Sequence, residues 1–336
     1  VAITGSIPIS KMQGDLEATP GTAQTATRVL PVLTGTLNQH EEEVQVVEQR
    51  ASLIRHYYKP VRVKRWVELD VEFVPTVEDL IWYLQLGLIG HATAGTALAP
   101  STTNSTVKRY TFAPSATQGL TQSATLEVGD DTQAYKCTLM VLDRLEVGWS
   151  LGGMLTAKAH FMGAKAVSGS YTSTLSPQGT EILNGAVAKA YIDDGGGTMG
   201  STIRTAPADM TFSIDNQIAM FWAPNGDIIP TDFYHREPRT MHLESTIRHT
   251  SDAENAAFIA QTQRYVRTKI EGSEIASSSP STNKSLTIDW AGYWSDAPFQ
   301  DADGLNAQRM TGDAVYDSTL TYDWKVIVDT NVASIA

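Results

Sequence analysis

The longest run of alternating side chains lies within residues 119–165, so the rest of the chain is read outward from there. From Tyr135 to Leu151 the odd positions carry Tyr135, Cys137, Leu139, Val141, Leu145, Val147, Trp149 and Leu151, interrupted once by Asp143. That period of two predicts a long strand with one buried face. Leu120–Val128 ends in Gly129-Asp130-Asp131, and a second partner, Met154–Met162, follows Leu151-Gly152-Gly153. Both junctions have turn composition, so three sequential antiparallel strands are expected as the nucleus of a β-sandwich.

The same alternation recurs on both sides. Val61, Val63, Val67, Leu69, Val71 and Phe73 predict a strand whose other face carries Arg62, Lys64, Glu68, Asp70 and Glu72. After Pro75 the period changes to 3.6: Thr76 and Asp79 can cap a helix over Val77–Leu86, with Leu80, Ile81 and Leu84 on one face. Further strands are expected at Met210–Ile214, Ile218–Trp222, Met241–Ile247, Tyr265–Ile270, Lys284–Trp290 and Tyr316–Val328, with a helix near residues 252–260 capped by Ser251 and Glu254. Strand, capped helix, strand, polar loop and strand describe both residues 61–128 and 239–290. This predicts an internally duplicated unit, although the two stretches share almost no identity. Residues 1–40, spaced by Pro8, Pro20 and Pro31, read as an extended N-terminal arm without a core strand. The division that follows is the arm at 1–40, a first half at 41–167, a linker with surface loops at 168–209, and a second half at 210–336.

Charge narrows the functional classes. Acidic residues outnumber basic ones 37 to 25, a formal charge of −12. That is the wrong sign for gripping nucleic acid and the right sign for a surface past which a polyanion moves without sticking. No apolar run of 18 residues and no cleavable signal pattern is present, so neither a membrane span nor secretion is predicted.

Candidate chemistry is sparse. The single cysteine, Cys137, lies on the apolar side of the central strand and reads as a buried hydrophobe. His235, His242 and His249 are seven residues apart on extended chain, too far apart for a compact metal triad. Asp193-Asp194 and Asp301-Ala302-Asp303 lack the rest of a calcium loop. Phosphate-loop, nucleophile-elbow and dinucleotide signatures are missing. No catalytic, cofactor-binding or metal-ligating residue is assigned, no cofactor is expected, and the chain reads as a non-enzyme. The tryptophans at 66, 82, 149, 222, 290, 294 and 324 read as core and seam residues.

Three stretches carry a family resemblance. They are Gly14–Val32 with its Glu17-Ala18-Thr19-Pro20-Gly21-Thr22 run, the helix region at 78–90, and Ala134–Gly163 with its double glycine between two long strands. In their order and length they resemble the tail tube (major tail) proteins of long-tailed, non-contractile bacteriophages, with Asn283–Trp294 as a further match. The resemblance implies a mainly β fold, a tail-tube β-sandwich or split barrel with a flanking helix and an N-terminal arm. It implies self-assembly into stacked rings, six tube units to a ring, or three chains if each carries a duplicated unit. The arm and a loop would reach the next ring, and tape measure, tail terminator and distal tail proteins would be partners. Viral DNA would pass down an acidic lumen in the virion tail, after assembly in the host cytoplasm. Candidate wall residues are Glu68, Asp70, Glu72, Glu127, Asp143 and Glu146. A carbohydrate-binding or adhesion β-module and a capsid-associated structural protein remain the alternatives.

Overall fold

The computed structural model describes residues 5–45, 47–48, 56–57, 60–88, 101–102, 106–114, 122–177, 179, 181–276, 278, 281–302 and 304–332. The first half contains β1 (Gly5–Pro8), β2 (Lys11–Leu16), β3 (Arg28–Leu30), β4 (Thr34–Val44), the short β5 (Val47–Glu48) and β6 (His56–Tyr57), β7 (Val61–Phe73) and α1 (Val77–Leu88). It continues with β8 (Ser101–Thr102), β9 (Lys108–Phe112), β10 (Ala124–Gly129), β11 (Ala134–Ser150), β12 (Thr156–Gly163) and β13 (Lys165–Gly169). The second half follows with β14 (Lys189–Asp194), β15 (Ile203–Arg204), β16 (Pro207–Asp215), β17 (Ile218–Phe221), β18 (Asp232–His235), β19 (Thr240–Arg248) and α2 (Ala253–Ile259). It closes with β20 (Arg264–Glu274), β21 (Asn283–Asp296), β22 (Phe299–Ala302), β23 (Leu305–Ala314) and β24 (Trp324–Thr330).

The expected nucleus is present: β10, β11 and β12 pair antiparallel in sequence. Strand β11 belongs to two layers at once. Its first part pairs with β10 and β13, and its second part pairs with β12 and β16. Two bulges make this possible. The register slips opposite Ala124/Leu126, where Leu139 has φ 55°, and again between Leu142 and Arg144. Each extra residue flips the alternation, so the side chains in the main core are Tyr135 and Cys137, then Met140 and Leu142, then Leu145, Val147 and Trp149. Leu139 and Val141 turn to the opposite face and form a separate small cluster with Ala164 and Phe233. The charge at Asp143, which interrupts the pattern in the sequence, marks the second bulge.

The layer that matters for function is a sheet in the order β4-β7-β12-β11-β16-β19-β23-β21, antiparallel at every joint, with β1 added along the outer edge of β4. Its inner side buries Leu37, Leu69, Phe161, Val147, Phe212, Leu243 and Met310 in the common core. The second layer is formed by β3-β2-β10 and β15-β14-β20 with the first parts of β11 and β21, extended by β13 and by β24-β9.

Helix α1 begins with a reciprocal cap: the Asp79 N–H donates to Thr76 Oγ1 (3.2 Å) and the Thr76 N–H donates to Asp79 Oδ2 (3.2 Å). Rather than lying over a sheet with one face wet, it is buried on every side; Val77, Ile81, Trp82, Tyr83 and Leu86 are all fully enclosed. It touches β11 in the first half and β21 and β24 in the second, so it packs both halves into one core.

The two halves repeat each other. The joints β4·β7, β7·β12, β11·β12, β10·β11, β11·β13, β2·β10 and β2·β3 recur as β16·β19, β19·β23, β21·β23, β20·β21, β21·β24, β14·β20 and β14·β15. A hairpin follows β4 and β16 alike, a helix follows β7 and β19, and the bulge at Leu142/Arg144 recurs at Trp294/Asp296. The fold is internally duplicated, but the repeat aligns differently from the expected match of 61–128 with 239–290: β10 and β11, not β9 and β10, correspond to β20 and β21.

Several expectations need correction. Residues 1–40 are not strandless: β2 and β3 pair with each other and place Met12 and Leu30 in the core, and Leu37 of β4 is fully buried. Isolated apolar residues were enough because each fills one place in a sheet completed by distant strands. Glu17 anchors this segment by accepting hydrogen bonds from Ser123 Oγ (2.6 Å), Thr125 Oγ1 (2.8 Å) and the Leu139 N–H (2.9 Å). The 168–209 stretch contributes β14, β15 and the start of β16 as well as loops. Asp252 rather than Ser251 precedes α2, without a side-chain cap. The last strand starts only at Trp324, because Asp317 Oδ1 accepts the N–H groups of Thr319 and Leu320 and holds residues 317–322 in a turn. The expected mainly β class stands, and among the described residues the sheet does not close into a barrel.

Candidate lumen face and assembly edges

Alternation puts the polar side of each strand in the open sheet on the face away from the core. Register then lines these side chains into rows. One row reads Thr34, Glu72, Lys158, Glu146, Ser213, His242 and Asp313 across β4 to β23. The next reads Thr36, Asp70, His160, Arg144, Asp215 and Thr240.

Ion pairs on this face bridge adjacent strands. His160 Nδ1 lies 2.8 Å from Asp70, Arg144 3.4 Å from Asp215, Lys158 3.6 Å from Glu146, His242 2.9 Å from Asp313 and Arg309 2.8 Å from Glu244. The carboxylates Glu68, Asp70, Glu72, Glu146, Asp215, Glu244 and Asp313 lie among Lys158, Arg144 and Arg309, while Arg62 and Lys64 on the same side of β7 pair with Glu41, Glu43 and Glu42. With neutral histidines the face is therefore net negative.

Of the candidate wall residues, Glu68, Asp70, Glu72 and Glu146 share this face. Asp143 sits beside them at the bulge, where it accepts the Ile218 N–H (3.1 Å), and burial pushes its carboxyl up. Glu127 does not belong. It is buried in the other layer, accepting from Gln13 Nε2 (2.7 Å) and the Thr172 N–H (2.7 Å). Strand alternation alone does not say which layer a strand joins, and that is why Glu127 was included. Sequence reading missed Asp215, Glu244 and Asp313; the polar positions of β19 (Thr240, His242, Glu244, Thr246) were the available signal.

Among the described residues no three His, Cys, Asp or Glu side chains are placed to share a metal. His235 contacts the Asn216 carbonyl (2.7 Å), His242 contacts Asp313, and His249 packs edge-on against Phe299. Asp193 is occupied by the turn that follows it, accepting from the N–H groups of Gly200, Ser201 and Thr202 and from Ser201 Oγ. Burial alone would raise its carboxyl, but these hydrogen bonds outweigh burial and hold it below the usual Asp value. The Asp301 loop includes Asp303, which lies outside the described residues. Cys137 is enclosed, and burial pushes its thiol up to about 12. Among the described residues no helix is long and apolar enough to cross a membrane. Trp82, Trp290 and Trp324 are fully buried, and Trp149 and Trp294 nearly so.

The sheet's two ends differ. At one end β4 carries β1 along its outer edge, through Gly5↔Gln39, Ser6↔Asn38, Ile7↔Leu37 and Pro8↔Thr36. At the other end β22 pairs with β23 on one side and with no strand on the other among the described residues. Phe299 and Leu305 stand exposed there.

No curated protein matches the chain significantly. A family model described as phage tail tube protein matches residues 10–324, nearly the whole chain. With that match the chain belongs to the phage tail tube protein family, structural components of the viral tail.

Proposed function

We propose that this protein is the tube subunit of a long-tailed, non-contractile phage, and that its chains close the open sheet into a ring. The observation that carries the reading is the sheet itself: two copies of a four-strand unit, apolar on one side and acid-rich on the other, ending at β22 in an edge with no strand partner among the described residues and at β4 in an edge covered only by the four-residue β1. Edge strands of this kind are normally blunted unless pairing is wanted.

Strand spacing supports one ring number over the other. Three chains of eight strands make a barrel of about 24 strands, roughly 37 Å across between backbones before strand tilt widens it. Six chains would make about 48 strands and roughly double that bore. The smaller barrel leaves room for a DNA duplex after side chains are added, so three chains presenting six tube units fit best. The polar face then lines the lumen, where its carboxylates repel phosphate and leave no binding site for DNA to stick to.

The hairpins after β4 and β16, and the segments outside the sheet, are the natural contacts to the next ring. Tape measure, terminator and distal tail proteins would complete the tail, with assembly in the host cytoplasm. The sugar-binding alternative is disfavoured because Trp66 packs on His40 (5.0 Å) and on Trp222 (6.3 Å) instead of standing free as a platform. Negative-stain microscopy of the purified protein tests the reading. Hollow tubes of constant bore support it, and a stable monomer at high concentration overturns it.

A further inference from the structure

The duplicated fold contains one worked example of the joint that copies of the chain would make. Inside the chain the first unit meets the second through β11 and β16, with Arg144 opposite Asp215 and Ser150 opposite Asp209. Superposing the units by their shared registers carries Arg144 onto Asp296 and Ser150 onto Ala302. The same rule carries Asp209 onto Thr34 and Asp215 onto His40. The edge from Asp296 to Ala302 is thus the counterpart of the second part of β11, and Thr34–His40 is the counterpart of β16. The first of these edges lacks a strand partner among the described residues, and β1 covers much of the second.

We propose that β1 is a guard strand held in cis. Residues 5–8 occupy the docking edge of β4 until the edge Asp296–Ala302 of a second copy displaces them during ring closure. This rests on the tube reading given above. The incoming strand would pair antiparallel in a defined register: Asp296 opposite His40, Gln300 opposite Thr36, Ala302 opposite Thr34. Chemistry at the joint agrees. Arg144 and Asp215 form an acid–base pair at the internal joint (3.4 Å), and Asp296 with His40 repeats that pair with the roles exchanged.

The guard is built to lose the competition. It pairs through four residues, one of which, Pro8, has no N–H to give, whereas the internal joint pairs through seven. A short proline-bearing strand blunts an edge without sealing it. Self-association then requires an arriving edge long enough to win, which limits non-productive pairing of the free chain.

Two cysteine experiments test this, starting from full-length protein whose own Cys137 is buried. In Ser6→Cys/Asn38→Cys, oxidation ties β1 to β4, and closure of the bond is checked by mass. The oxidised protein is expected to form at least tenfold fewer rings than the same protein after reduction. Equal assembly in both states overturns the guard. In the second experiment chains carrying Thr36→Cys are mixed with chains carrying Gln300→Cys. Assembled rings should give an intermolecular disulfide, while a His40→Cys/Gln300→Cys mixture should not. A crosslink in the second mixture but not the first overturns the register. If neither wild type nor reduced variants assemble at all, the tube reading fails and the guard with it.

Discussion

The two repeats share a topology but treat their long strands differently. In the first, β11 runs unbroken for 17 residues with an extra residue at Leu139, and it is paired along both edges of its second part. In the second, the counterpart runs straight past the equivalent position, then breaks at Pro298 into β21 and β22 and leaves an edge with no strand partner among the described residues. Glu17 explains the first contrast. It accepts the Leu139 N–H that the bulge frees from the ladder, while the matching place in the second repeat is Gly195, where no bulge needs a partner. The second contrast follows position in the chain. The joint between repeats is always made, so its strand can be long and rigid. The outer joint must wait for another copy, and its strand is short and interrupted.

Substitutions can break this comparison, and the largest effect is expected at α1. Trp82→Ala should cost about 3–5 kcal/mol in urea unfolding, because the indole is fully buried on the helix that packs against both repeats. Ile259→Ala, exposed at the end of α2, should stay within about 0.5 kcal/mol. Glu17→Ala comes next, at about 3 kcal/mol, since it leaves the Leu139 N–H and two buried hydroxyls unpaired.

Smaller effects separate buried from exposed carboxylates. Glu127→Ala should cost about 2 kcal/mol, and Glu146→Gln should fall within about 0.5 kcal/mol. Asp193→Asn should cost about 1 kcal/mol at neutral pH. Its folded-state carboxyl sits below the ordinary value, so its contribution is full above the unfolded Asp pKa of about 4 and is lost as pH falls through the folded value. Acid titration of stability should therefore be shallower in Asp193→Asn than in wild type. Least of all on stability, Glu72→Lys/Glu146→Lys should leave folding and assembly intact while slowing DNA release from virions. Unchanged release would remove these residues from the wall.

Much of the fold was legible because alternation is a local property. The hairpins around β11, the helix after Thr76 and the inward set Met241, Leu243, Ser245 and Ile247 follow directly from spacing. What alternation hides is which layer a strand joins. Glu127 and Glu146 look alike in sequence, yet a strand that changes layers at two bulges separates them by the full thickness of the sandwich. Short strands with one or two apolar residues, such as β2 and β3, were also invisible. Their stability comes from partners more than 100 positions away, as in the hydrogen bond from Gln13 to Glu127. The duplication was readable only as an order of elements, since side chains diverged while backbone pairing did not.

A cryo-electron microscopy reconstruction of the assembled protein addresses the joining of open sheets most directly. The expected result is a ring of three chains, each joined to the next through residues 296–302 and 34–40, with Asp70, Glu72 and Glu146 facing the bore. Rings of six whole chains, or the same carboxylates turned to the outside, would contradict it.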